Sequence, residues 1–518
     1  MRHFMPVAIP DHLRGRLSDI DVMALSIEVI GSALIAGTHT AAEFAAACLA
    51  QVNLQEPYLN AFIWINRNAL SDAERADDEI AHGTHRGPLH GVPVVIKDNM
   101  DLVGTRTTAG YSGFAANSRV VDPQRGTFNG VDLVPNRDAR LVEKLKEAGA
   151  IIIGKSNLPD FGLDGLRAQS SYNGDTLNTY NAAFAPGASS TGSASAVAAG
   201  MGVVAIGTDT AGSILFPASA QSLVGLKPSF GLVPKEGIFP GLFNHDVAGP
   251  ITRSVADAAA VLDAIADRPP GTPTYAEGLQ RGTLHGKRIG LFEPGIWAPA
   301  LHPAVQEHYS AMVEIVTSQL GAQRVDTVFG DTDWQAQWSR RKSFAQCNAY
   351  LEGVDSYLAG LGGHNPTSRE AFEARSGFPL GVGTTAPLHA LLSDPAINFG
   401  RDSAQVREVT DTQASLAMLY EQILEDKQID ALFLPRSTQP LPDLDGNTGG
   451  YLGDQVAGTE VNELGLPVVT VPAGYLADGR PIAIDIVGAR RLGESEILAM
   501  AYDFEQHTRL RNPPPANF

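Results

Sequence analysis

Apolar positions along the chain fall into two periods. Short β-branched runs bounded by glycine or polar residues recur at Val92–Ile96, Ala150–Ile153, Val203–Gly207, Arg288–Phe292, Ala431–Leu434, Val468–Val471 and Ile482–Val487, and these predict buried strands. Between them the spacing turns helical. Arg140–Gly149 carries Leu141, Leu145 and Ala148 on one face and stops at Gly149. Two helices are expected within 18–55, the first capped by Asp21 or Ser26, the second running Ala41–Leu54 after Thr38–Thr40. Further helices are predicted over Ser193–Ala199, which is built of very small residues, from Ser254 to about Ala266, over Pro303–Leu320 up to Gly321, and over Ser495–Thr508. Helix, glycine, strand is an α/β rhythm. Asp101–Pro135 is polar and glycine-rich and reads as an extended surface loop. Residues 330–425 show little pattern, and Arg268–Pro273 is the clearest linker.

Composition narrows the function. The chain has 518 residues, of which 44% are hydrophobic and 18% charged, enough for a large core. Its 38 basic and 57 acidic side chains leave a net charge of −19, which argues against a sequence-independent grip on nucleic acid or an anionic membrane. No run on the order of 18 apolar residues predicts a membrane span. The opening residues are broken by Pro6, Pro10, Asp11 and Arg14 and do not read as a secretory signal, so the cytoplasm is the expected address. Cys48 and Cys347 read as buried small residues, and the 13 histidines form no ligand-like cluster; neither metal nor cofactor is expected.

Two strings invite a mechanism. Gly149–Ser156 (GAIIIGKS) matches the phosphate-loop pattern. A helix precedes it, however, its middle is strand-like, and Pro159 follows, so a strand ending in a loop is the better reading. The second is a pair of small-residue loops, Pro186–Ser193 and Gly207–Ser213. They offer hydroxyls and a backbone that a ligand can approach closely. A serine hydroxyl attacks only when a base takes its proton, and a lysine serves only when burial keeps it neutral. Lys97, at the end of an apolar strand, is the best-placed lysine for that.

The block 186–231, PGASSTGSASAVAAGMGVVAIGTDTAGSILFPASAQSLVGLKPSFG, resembles the signature of the amidase signature family of serine hydrolases. GPLHGVPVVIKDN (87–99), AGAIIIGKSNLPDFG (148–162), AGPITRSVADAA (248–259) and GLPVVTVPAG (465–474) are similar to further family segments. The resemblance implies a single large α/β domain over 1–518, with a mixed central sheet covered by helices on both faces. N-terminal helices would occupy 1–80 and a catalytic core 81–268; the rest of the sheet would lie in 269–518, with a variable helical substrate-side region at about 300–425. It implies Ser213 as nucleophile, Ser189 as the serine after a cis peptide, and Lys97 as base. Thr210, Ala211, Gly212 and Ser213 would supply oxyanion-hole N–H groups, Gly162 would line the acyl pocket, and Asp209 and Ser190 would give structural support. The implied activity is hydrolysis of a carboxamide C–N bond through an acyl-enzyme, on a small-molecule amide or peptide amide. Alternatives are the amidase subunit of a glutamine-dependent amidotransferase, and an esterase or hydrazide hydrolase; a homodimer is left open. Ala188, Thr191, Ala211, Leu215 and Ser229 depart from the usual signature, and Leu215 with Phe216 suggests an apolar environment.

Overall fold

The computed structural model describes residues 4–163, 170–343, 346–384, 392, 394–444 and 455–515. Its strands are β1 (Phe62–Ile65), β2 (Pro93–Lys97), β3 (Arg119–Asp122), β4 (Gly126–Asn129), β5 (Ile151–Ser156), β6 (Val204–Asp209), β7 (Val224–Lys227), β8 (Val247–Thr252), β9 (Arg288–Leu291), β10 (Gln323–Val325), β11 (Ala431–Pro435), β12 (Val468–Tyr475) and β13 (Pro481–Gly488). Eleven of them form one mixed sheet in the order β1-β5-β2-β6-β8-β7-β12-β13-β11-β9-β10, and β3 and β4 pair separately. β2 lies parallel between β5 and β6, whereas β6 meets β8, and β12 meets β13, antiparallel. The expected α/β domain on a mixed sheet is what the chain builds.

Every residue of β2, β5, β6, β7, β8, β11 and β13 is buried. Successive strand residues point to opposite faces, so both faces of the sheet centre are covered, and the continuous apolar runs follow from that. Gly149–Ser156 is indeed a helix stop followed by β5, and the turn after it is a short 3₁₀ segment, Asp160–Gly162.

Helix ends follow local chemistry. Ser26, not Asp21, caps Ile27–Ala36 by accepting from the Val29 N–H. Thr40 and Glu43 form a capping box that opens Ala41–Leu59, which runs past its expected end at Leu54 and through Pro57. Ser254 caps Val255–Ile265. The long helix expected over Pro303–Leu320 is α-helical to Glu314 and then widens into a π turn, Ile315–Gln319.

One expectation needs correction. Asp101–Pro135 is not a surface loop in its first half: Ala109, Tyr111 and Phe114 are fully buried, as is Thr107. Its polar groups satisfy one another, with Thr107 donating to Asp101 at 2.7 Å and Thr108 N–H to Asp98 at 3.1 Å. The patternless stretch contains the helices Trp334–Arg340, Tyr350–Gly360, Arg369–Ser376 and Ala404–Asp426, while 344–345, 385–391 and 393 lie outside the described residues. Strands β1, β3, β4, β7, β8 and β10 were not anticipated.

The helix Thr191–Ala198 is entirely buried, and its small side chains let it sit directly on neighbouring backbone. A Cβ on Gly192 would fall 2.2 Å from the Ala61 carbonyl oxygen and 2.5 Å from the Asn157 nitrogen. Neither is a side chain that can turn away. Gly192→Ala is therefore expected to destabilise the protein by about 1–3 kcal/mol, as overpacking does, read as a lowered thermal unfolding midpoint. An unchanged midpoint would contradict this contact.

Candidate active site

The carboxyl ends of the parallel neighbours β2 and β6 open at the same edge of the sheet. That is where open α/β sheets accept ligands. Lys97 is the last residue of β2 and Asp209 the last of β6. Lys97 is fully buried. Its Nζ lies 2.7 Å from Ser189 Oγ, 2.9 Å from Thr208 Oγ1 and 3.4 Å from the Thr208 carbonyl. Burial pushes its pKa down to about 7, against the opposing charges of Asp209 and Asp246. Desolvation wins because, among the described residues, no carboxylate is in ion-pair contact with the amine.

The loop carrying Ser189 is held on all sides. The Ala188–Ser189 peptide is cis. Ser190 Oγ donates to the Thr208 carbonyl and accepts from the Thr208 N–H, both at 3.2 Å. Ser190 N–H donates to the Ser213 carbonyl at 3.2 Å, which ties the two small-residue loops together. Thr191, which stands where the family signature has glycine, donates from its hydroxyl to the Gly187 carbonyl at 2.7 Å.

Asp209 organises the second loop. Its carboxylate accepts from the N–H groups of Gly212 at 2.7 Å and Ile214 at 2.6 Å. This modifies one expectation. The Gly212 N–H is engaged by Asp209, whereas those of Thr210, Ala211 and Ser213 carry no hydrogen bond among the described residues. Thr210 Oγ1 donates to Asp246 at 2.6 Å, and Asp246 also accepts from the Gly241 and Leu242 N–H groups at 2.8 Å. Ser213 itself is half-buried.

A cavity of about 400 Å³ opens beside Ser189. Its walls include Phe161, Phe239 and Tyr357, with Lys235, Asp246 and Arg401. Phe161 and Phe239 stack at 5.2 Å, and Phe239 meets the Tyr357 ring edge-on at 5.1 Å. Gly162 adopts φ +72°, and a Cβ there would fall 3.2 Å from Ser189 Oγ and 3.9 Å from Lys97 Nζ. Leu215 and Phe216 are buried in core clusters and do not line this cavity.

The Amidase family model matches residues 43–498. The chain belongs to the amidase family. It is 31% identical over 504 residues to a glutamyl-tRNA(Gln) amidotransferase subunit from Chloroflexus aurantiacus, covering 95% of this chain and 98% of that protein. It is 32% identical over 505 residues to the subunit of the same name from Geobacter metallireducens, covering 94% and 98%. Among solved structures it resembles the native peptide amidase from Stenotrophomonas maltophilia, with a TM-score of 0.78 at 30% identity over 96% of this chain and 99% of that one. Like its family, this amidase is a hydrolase acting on the carbon–nitrogen bonds of amides.

Sequence reasoning missed several groups around the amidase site. Thr208, the second hydroxyl on Lys97, also accepts from Asn99 at 3.0 Å. Most lysines other than Lys97 read as solvated, yet Lys155 and Lys227 are also fully buried. Lys155 is neutralised by Asp98 at 2.8 Å. Lys227 donates to the Pro228 carbonyl at 3.1 Å and is pushed down to about 8 by burial. The signal was available: each lysine closes or nearly closes an apolar run.

The depressed pKa of Lys97 has a consequence for stability. Between about 7 and 10.5 the unfolded chain holds the proton and the folded one does not, so this group's contribution to stability rises with pH across that window. At pH 7 and below, its burial costs on the order of a few kcal/mol. Lys97→Met is expected to raise the thermal midpoint by a few degrees at pH 7, with the gain shrinking toward pH 10. A midpoint lowered at pH 7 would show that the hydrogen bonds to Ser189 and Thr208 outweigh the desolvation.

Proposed function

We propose that this amidase hydrolyses a carboxamide to a carboxylate and ammonia or an amine through an acyl-enzyme on Ser213, with Ser189 and Lys97 as proton relay. The observation that carries this reading is the buried Lys97 amine, free of ion-pair contact among the described residues, held 2.7 Å from Ser189 Oγ at the edge of the cavity. With the amine neutral, the Ser189 hydroxyl donates to Nζ. Ser189 thereby accepts the Ser213 proton as Ser213 Oγ bonds to the amide carbon. The carbonyl oxygen gains the negative charge, and the N–H groups of Thr210, Ala211 and Ser213 stabilise it in the role that is usually the largest catalytic contribution. The C–N bond then breaks, with the proton returned to the leaving nitrogen through Ser189. Water cleaves the acyl ester and restores both serines. Asp209 and Ser190 hold the loops, and Gly162 leaves room beside Ser189 for the acyl group.

The aromatic wall of Phe161, Phe239 and Tyr357 favours an amide whose acyl side is apolar. The likeness to a peptide amidase at 30% identity makes peptide C-terminal amides the first class to try. A second reading, the amidase subunit of a glutamine-dependent amidotransferase, is supported by relatives of that name matched over nearly their whole length. The cytoplasmic address goes with either reading.

An ammonia-release screen over peptide amides, aryl amides and glutamine separates the two. Activity of the purified chain alone on peptide amides supports the first; glutamine hydrolysis that appears only when a co-purifying partner is retained supports the second. Ser213→Ala is expected to reduce turnover by at least about 10³-fold with the fold intact, and a fluorophosphonate should label Ser213 in the wild type. Undiminished turnover in Ser213→Ala would overturn the acyl-enzyme. Because the base works as the neutral amine, kcat/KM is expected to rise with pH through about 7 and then level off. A rate that falls as pH rises through that range would remove Lys97 as base.

A further inference from the structure

A buried chain of polar groups outside the catalytic set ends on the Ala211–Gly212 peptide. Gln455 Nε2 donates to the Ala211 carbonyl at 3.4 Å. Its carboxamide lies so close over Gly212 that a Cβ there would fall 2.0 Å from Oε1. Gln455 Oε1 accepts from Arg436 Nη2 at 3.2 Å, and the same nitrogen donates to the Val456 carbonyl at 2.9 Å. Arg436 Nη1 faces Asp485 Oδ2 at 2.7 Å, and Asp485 Oδ1 accepts from Thr470 Oγ1 at 2.5 Å. Arg436 and Asp485 are each 1% exposed, and Gln455 is buried. Backbone bonds fix the arrangement: Arg436 N–H donates to Ala483 at 3.0 Å, Val456 N–H to Arg436 at 3.1 Å, and Ser437 bridges Gln455.

The chemistry of this chain sets its direction. A guanidinium has donors only, so the end of Gln455 that faces Arg436 must be its carbonyl. The amide nitrogen is thereby turned to the Ala211 oxygen. The Ala211–Gly212 peptide is then gripped at both ends, its oxygen by Gln455 and its N–H by Asp209. A planar peptide held at both ends fixes the direction of its neighbours, here the Ala211 N–H before it and Ser213 after it.

We propose that Gln455, aligned by the buried Arg436–Asp485 pair, is a positioning residue that aims the Ala211 and Ser213 N–H groups and the Ser213 hydroxyl at the scissile carbonyl. The proposal rests on the reading of Ser213 as nucleophile. Gln455 touches no reacting atom, so its loss leaves the relay and the cavity in place and loosens the geometry of attack.

Gln455→Met keeps the length and removes the donor. Gln455→Glu keeps the contact with Arg436 and sets an acceptor against the Ala211 carbonyl. In both, kcat is expected to fall about 10- to 100-fold with KM within twofold, and the rate of fluorophosphonate labelling of Ser213 to fall by a similar factor. The pH dependence of kcat/KM should still turn at about 7, because Lys97 is untouched. A kcat within twofold of wild type in both variants would overturn the proposal. So would a loss of activity that only follows a collapsed thermal midpoint in both. Failure of the underlying reading looks different: Ser213→Ala would then remain active, whereas failure of the Gln455 role leaves Ser213→Ala inactive and Gln455→Met active.

Discussion

The site depends on one amine taken out of water without a carboxylate, among the described residues, to meet it. An ammonium in the interior is unfavourable unless an anion approaches it closely. Two lysines at neighbouring strand ends show both outcomes. Lys155 on β5 has Asp98 at 2.8 Å. Lys97, the residue just before Asp98, has two hydroxyls instead. Asp209 and Asp246 act on Lys97 only at longer range and do not reverse the effect of burial. A hydroxyl both donates and accepts, so Ser189 and Thr208 can serve either protonation state of the amine, which a carboxylate cannot do.

The sheet makes this arrangement affordable. Because β2 and β6 are parallel neighbours, Lys97 and the Thr208–Asp209 step emerge side by side, and the loops only have to bring serines to them. Asp209 then has two tasks that need the same place. It closes the turn after β6 by accepting from Gly212 and Ile214, and it is the foremost charge opposing desolvation at both Lys97 and Lys227. A loop of glycine, alanine and serine would wander by composition alone. Here Gly192 is pressed against backbone and Gly212 against the Gln455 carboxamide, while the N–H groups of Thr210, Ala211 and Ser213 carry no hydrogen bond among the described residues.

How much of this could be read in the sequence divides along physical lines. A fully buried strand announces itself by a continuous apolar run, so β2, β5, β6 and β11 to β13 were legible, and so was Lys97 at the end of one. β7 and β8 were not, because Val224-Gly225-Leu226-Lys227 and Val247-Ala248-Gly249-Pro250-Ile251-Thr252 contain residues that usually break strands. The structure supplies the reasons for tolerating them. A Cβ on Gly249 would fall 2.2 Å from the Leu226 carbonyl oxygen, and Pro250, which faces Ile206 on β6, lies outside the β7–β8 register of Ile251 and Thr252. Residues 101–115 misled for a different reason. Polar composition looks the same whether water or a neighbour satisfies the hydrogen bonds, and here Asp98, Asp101 and Tyr357 are the neighbours.

The groups that confer chemistry and those that shape the cavity come from different parts of the chain, yet they meet at two consecutive residues. Phe239 and the helix Tyr350–Gly360 build a wall from segments with no readable period, whereas Lys97, Ser189 and Ser213 sit on strand ends and tight loops. Phe161 and Gly162 belong to both. Phe161 holds φ +57°, a conformation that bulky side chains rarely adopt, and its ring stacks on Phe239. The next residue, Gly162, lies under Ser189 and Lys97. Ala109 fixes the step by accepting the Phe161 N–H at 2.8 Å, and Ala109 itself lies in the buried half of the segment that looked like a surface loop. The aromatic wall therefore cannot be reshaped at Phe161 without moving the backbone against which the Lys97–Ser189 pair rests. The departures at Thr191 and Leu215, which bind the loop and fill the core, leave that join unchanged.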